Sequence, residues 1–240
     1  MSSEKIILRL PSNMEDIELQ QYQKYLKISK DLDTEDKEQS EFLAIKMLEI
    51  FGGITYEEVR LLPASVYEVA LEQILKCLNE ASPLVKRFSI VGTDGVEIEF
   101  GMIPNLDNMT LGEYIDLDNL ISDWDNMHKM MAVLYRPIIK SKKDMYDIEP
   151  YKTYEKYEDI MKYTPLNVAL GAMLFFYRLS SKLAKYILSS SLKQLTQEEA
   201  MLLERNLLVK SGVGIKQYME SLEVTSSNLT KLQVSQSISA

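Results

Sequence analysis

Asp125 and His128 stand three residues apart in DWDNMHKMM, a spacing that sets a carboxylate and an imidazole on one face of a helix as half of a divalent-metal site. Completing that site takes further ligands, and the chain is poor in them. His128 is the single histidine and Cys77 the single cysteine, with Asp123 the other acid just N-terminal. No second imidazole or thiolate can share an ion, so the expectation is a structural histidine on the helix surface. Arg136, in LYRP, can bind the last carbonyls of a helix or a carboxylate; the expectation is a partner for the helix dipole and a nearby Asp or Glu. The acidic run DLDTED lacks the glycine of a calcium loop, and Gly52-Gly53 lacks the lysine of a phosphate loop. Ser211 to Gly214 (SGVG) follows a helical pattern where a dinucleotide loop follows a strand, and no G-x-S-x-G elbow occurs. No catalytic, cofactor-binding or metal residue is therefore assigned, and the chain is expected not to be an enzyme.

The 240 residues are 46% apolar and 26% charged, the profile of a globular chain and not of a disordered, collagenous or disulfide-stapled one. No apolar run is long enough to span a membrane, and MSSEKIILRLP lacks a signal-peptide core; synthesis in the cytoplasm is expected. A net charge of −9 argues against nucleic acid or an anionic membrane as the main partner. The acids crowd Asp31 to Glu41 and Asp107 to Asp125, whereas beyond Tyr177 the bases Arg178, Lys182, Lys185, Lys193, Arg205, Lys210, Lys216 and Lys231 outnumber the glutamates. Such polarity favours head-to-tail contact between copies, although solvated helix faces would look the same.

These residues must be positioned by a mainly α-helical bundle with a small antiparallel β element. Lys5 to Leu10, stopped by Pro11, reads as a strand. Helices are expected around Leu19, Tyr22, Tyr25 and Leu26, then around Leu43, Met47, Ile50 and Phe51, ending at Gly52-Gly53. Capping boxes pair Thr55 with Glu58, Ser65 with Glu68, Thr110 with Glu113 and Thr196 with Glu199. The Ser65 box predicts a helix with Val66, Val69, Ala70, Ile74 and Cys77 or Leu78 inward, so Cys77 is expected to be a core residue and not a reactive one. Two alternating runs around Thr93-Asp94-Gly95 predict a hairpin over 87–103, which needs a further strand, from 5–10 or from a neighbour. MTLGEYIDLDNLI and DWDNMHKMMAVLYRP predict two helices, the second carrying Trp124, Met127, Met131 and Leu134 inward and ending at Pro137. The Lys- and Tyr-rich stretch after it reads as an exposed excursion flanking a short helix. Thr164-Pro165 opens the most apolar helix, with Val168, Ala172, Phe175, Phe176, Leu179, Leu183 and Ile187 as the core pillar. A last helix from Thr196 stops at Ser211-Gly212. The expected organisation is 1–103 (helical with the β element), 104–223 (helical, packed on it) and 224–240 (an extended polar tail).

An N-terminal strand ending in Leu-Pro, then DIELQQYQKYL, MTLGEYIDLDNLI, MHKMMAVLYRPI, Tyr-Asp-Ile-Glu-Pro-Tyr and PLNVALGAMLFFYRL resembles, over residues 5 to about 190, the virion-morphogenesis proteins of tailed bacteriophages. These are the neck and tail ring proteins of crAss-like phages, or small phage tail assembly chaperones. The resemblance implies assembly work without chemistry. A ring or adaptor at the portal–tail junction would be retained in the virion, with the portal and neighbouring tail or ring subunits as partners and a homo-oligomeric ring as its form; a chaperone would bind a tail protein and leave. An enzyme is the third reading, with Asp125, His128 and Arg136 the residues to substitute. Candidate docking residues are the edge from Arg87 to Phe100, the Tyr146 to Tyr157 excursion and the tail from Val224 onward.

Overall fold

A computed structural model of the chain describes residues 6–30, 32, 36–92, 95–120, 123–143 and 145–176. The helix expected from Thr196, its capping box, the pillar residues from Leu179 and the 224–240 tail lie outside the described residues. Among these residues the fold is helix-dominant with one four-stranded antiparallel sheet. It divides into two compact units between Ala81 and Ser82.

In the first unit, α1 (Leu19–Ser29), α2 (Lys37–Gly52), α3 (Tyr56–Arg60) and α4 (Ala64–Leu78) follow one another. The expected stripes of α1 and α2 are all buried and meet through rings such as Tyr25 and Phe51, 5.7 Å apart. Gly53 stops α2 by taking φ +66°, a left-handed conformation that suits glycine. Thr55 and Glu58 form their capping box, with the Thr55 amide donating to Glu58 Oε2 at 2.7 Å. The Ser65 box does not form. Pro63 stands at the N-cap, so α4 begins at Ala64, before Ser65 can act as a cap. The buried face of α4 runs through Ala70, Leu71, Ile74, Leu75, Cys77 and Leu78; Val66 and Val69 fall outside it and are exposed.

Residues 6–10 form no strand. The Arg9 amide donates to the Gly52 carbonyl at 3.2 Å, so this segment caps the end of α2.

The second unit carries the sheet, ordered β1 (Arg87–Val91), β2 (Glu97–Met102), β3 (Tyr135–Lys142), β4 (Met145–Ile148). The hairpin β1–β2 stands where the Asp-Gly signal puts it, with Gly95 at φ +78°. A boundary at 103–104 would separate β2 from β3, which pair at Gly101–Arg136 and Met102–Tyr135, so the hairpin belongs with the second unit.

The third and fourth strands replace two sequence expectations. The helix α6 (Met127–Leu134) stops before Tyr135, and Pro137 sits inside β3 instead of ending a helix. Proline is tolerated there because Arg136 takes the backbone place opposite β2, so the N–H that Pro137 lacks would point away from β2 and the β2–β3 ladder loses no bond; the Pro137 carbonyl accepts from the Glu149 amide at 2.9 Å. The first part of the Lys- and Tyr-rich excursion is β4, and the short helix is α7 (Glu158–Met161), as expected in kind.

Between β2 and α6 lies α5 (Leu111–Leu120), opened by the Thr110–Glu113 box. Trp124, Met127, Met131 and Leu134 are buried as their spacing requires. A helical run over 166–176 buries Val168, Ala172 and Phe176, with Phe175 half-buried. One sheet face joins this core: Phe88 stacks on Phe100 at 5.8 Å and meets the edge of Tyr135 at 5.2 Å.

Candidate functional site

Arg136 and Glu113 form a buried ion pair between β3 and the start of α5, joined there by the exposed Thr110. Arg136 Nη1 donates to Glu113 Oε1, and Glu113 Oε2 accepts from the Thr110 amide at 2.6 Å and the Thr110 hydroxyl at 2.8 Å. Arg136 and Glu113 are 7% and 3% exposed, so both charges depend on each other for solvation. Burial raises the Glu113 carboxyl, but the hydrogen bonds from Thr110 and Arg136 outweigh it and leave it below the usual glutamate value. The Tyr151 ring lies 5.4 Å from the guanidinium, and its hydroxyl donates to Asp116 Oδ2. Arg136 Nε is buried without a hydrogen-bond partner among the described residues.

Arg136 thus meets a carboxylate, but it does so from a strand and ties that strand to a helix N-terminus. The expectation of a helix-end dipole partner does not hold, because α6 has ended at Leu134. Sequence reasoning missed Glu113 as the partner. Its signal was the capping box, which fixes Glu113 Oε2 on Thr110 and leaves Oε1 for the arginine.

His128 lies in the first turn of α6, half-buried. Burial, with Lys162 and Lys129 nearby and against the pull of Asp159 and Asp125, pushes its pKa down to about 4. It is therefore a neutral imidazole at pH 7. Asp123 caps the preceding turn, accepting from the Asp125 amide at 3.0 Å and the Asn126 side chain at 2.8 Å, so its oxygens are committed to local structure. No group of three or more His, Cys, Asp or Glu side chains gathers around a common point among the described residues. Cys77 is fully buried; its thiol lies 3.4 Å from the Pro11 carbonyl, and burial raises its pKa.

The sheet supplies a different kind of feature: among the described residues no strand pairs with the outer edge of β1. Across β1–β2 the Met102 amide donates to Lys86 O at 2.9 Å and the Gly92 amide to Val96 O at 2.8 Å. Even-numbered residues of β1 therefore turn their backbone groups to β2, and Arg87, Ser89 and Val91 turn theirs outward. Ser89 and Val91 are exposed, Val91 by 63%. On the outer face of the sheet, Arg87 donates to Glu99 at 3.1 Å and Ser141 at 2.8 Å, and lies 5.1 Å from the Tyr146 ring. The Tyr146 hydroxyl donates to the Met102 carbonyl at 2.8 Å. No lysine or arginine occurs between Arg87 and Lys129, whereas Asp94, Glu97, Glu99 and six further acids do.

A second exposed apolar feature runs along α5, where Leu111, Tyr114 and Ile115 share one face and are 75%, 61% and 47% exposed. No helix among the described residues is long and apolar enough to cross a membrane.

Comparison of the chain with protein-family models, with curated proteins and with solved structures found no match.

Proposed function

We propose that this chain is a non-catalytic structural subunit of a tailed-phage neck or tail, a ring or adaptor protein at the portal–tail junction that works by docking to copies of itself and to neighbouring subunits. The sequence resemblance over residues 5 to about 190 gives the reading its biological setting. The observation that carries its mechanism is the open β1 edge, where Arg87, Ser89 and Val91 present backbone donors and acceptors outward. An edge of this kind recognises an extended partner through main-chain hydrogen bonds. The strongest polar constellation, Arg136–Glu113–Thr110, has both charged partners buried and ties β3 to α5.

The Leu111–Tyr114–Ile115 face favours a second reading, a tail assembly chaperone that holds an apolar segment of a tail protein and then departs. Immunogold labelling of purified particles separates the two. Label at the head–tail junction supports the retained subunit; label in the infected-cell lysate but absent from finished particles supports the chaperone.

A further inference from the structure

We infer that the β1 edge receives residues 230–238 of a second copy of this chain as an added strand. The inference rests on the reading of the chain as a self-docking subunit and names the edge and the segment that meet. Three observations carry it. First, the edge is open among the described residues: Ser89 and Val91 turn their N–H and C=O groups away from β2 and stand exposed.

Second, the sequence of 230–238, TKLQVSQSI, places its apolar residues with a period of two. Thr230, Leu232, Val234, Gln236 and Ile238 fall on one side and Lys231, Gln233, Ser235 and Ser237 on the other, so every apolar residue of the segment shares one side. A strand laid beside β1 with Leu232 and Val234 on the core side continues the apolar face of Phe88 and Ile90, of which Phe88 is only half-covered. The same placement sets the wholly polar side beside Ser89.

Third, the charges are compatible. The segment 224–240 holds one lysine, Lys231, and no acid; on the outer face beside β1 Glu99 is held by Arg87, and the exposed Glu97 is the carboxylate that complements the lysine.

Hydrogen exchange and cysteine pairing on the full-length protein test this. In the unsubstituted chain the amides of Ser89 and Val91 are expected to be protected. Combining Leu232→Asp with Val234→Asp should speed their exchange about tenfold or more while Phe88 and Ile90, bonded to β2, keep their protection. Equal exchange at Ser89 and Val91 in both proteins overturns the inference. Mixing a Ser89→Cys chain with a Gln233→Cys chain under mild oxidation should give a disulfide-linked dimer containing one of each. Three results contradict it: no dimer, a Ser89→Cys chain that dimerises equally well alone, or a double variant that closes only within its own chain. Val91→Pro in the Ser89→Cys chain, which removes an outward amide while keeping the cysteine and the β1–β2 bonds, should abolish the mixed dimer. Particles that lack the chain would remove the phage reading and leave these outcomes standing, so the two fail separately.

Discussion

Gly101 and the ring of Tyr146 occupy adjoining space so closely that a Cβ on Gly101 would stand 2.5 Å from Tyr146 Cε2. Gly101 faces outward from β2 opposite Arg136, and the ring covers it before the Tyr146 hydroxyl reaches the Met102 carbonyl. Beyond the backbone pairing of β3 with β2, β4 is thereby tied to β2 by one aromatic side chain. Gly101→Ala should destabilise the protein by about 1–3 kcal/mol through overpacking. Tyr146→Phe should cost about 0.5–1.5 kcal/mol through the lost hydrogen bond. Urea unfolding checks both, and a Gly101→Ala chain as stable as the parent would show that the ring can move aside freely.

Breaking the Arg136–Glu113 pair leaves a buried charge without its counter-ion. Arg136→Met or Glu113→Ala should each cost about 3–5 kcal/mol, whereas combining Arg136→Met with Glu113→Leu should recover much of that loss. The folded-state pKa of Glu113 lies below its ordinary value near 4.5. Its contribution is therefore complete above that value and is lost as pH falls through the lower, folded one. Thermal unfolding from pH 5 to pH 2 should show this acid limb, and Glu113→Gln should shrink it. An unchanged limb would place the acid sensitivity elsewhere.

His128 titrates in a separate window. Its pKa falls from 6.5 to about 4 on folding, so between those values the unfolded chain takes up a proton that the folded chain refuses. Stability is full above pH 6.5 and declines as pH drops toward 4. His128→Gln should flatten that stretch of the profile while keeping the lower limb due to Glu113. The imidazole resonances should titrate with a midpoint near 4; a midpoint near 6.5 would contradict the burial assigned to the ring.

Cys77 should be inert. With its thiol buried and its pKa raised, an exchange-type thiol reagent should label the native protein only at the rate of opening and the denatured protein at once. Immediate stoichiometric labelling of the native chain would show that α4 does not bury it.

Much of the fold can be read from residue spacing, and the failures have physical causes. The stripes of α1 and α2, and the capping boxes at Thr55 and Thr110, depend on neighbours three or four residues away and are written locally. The spacing of Val66, Val69 and Ala70 reads as one inward stripe, yet α4 buries the face of Ala70, Leu71, Ile74 and Leu75, a choice made by what packs against the helix and not by local spacing. Pro137 reads as a helix stop because its lack of an N–H is a local fact, whereas its acceptance within β3 depends on the register with β2, which turns the missing N–H away from that strand. The Arg136–Glu113 pair joins residues 23 apart in sequence, so a capping box shows half of it and the other half comes from the pairing of β2 with β3. The open edge is visible in sequence as a hairpin with no guaranteed third strand; which side stays open is decided when β3 pairs with β2.

The reading of this chain as a retained docking subunit is tested most directly by quantitative mass spectrometry of purified, intact particles, comparing its peptides with those of the portal protein. A fixed ratio of whole copies per portal ring, unchanged through successive purification steps, is the predicted result. Particles that are complete and infectious with no peptides from this chain would contradict it.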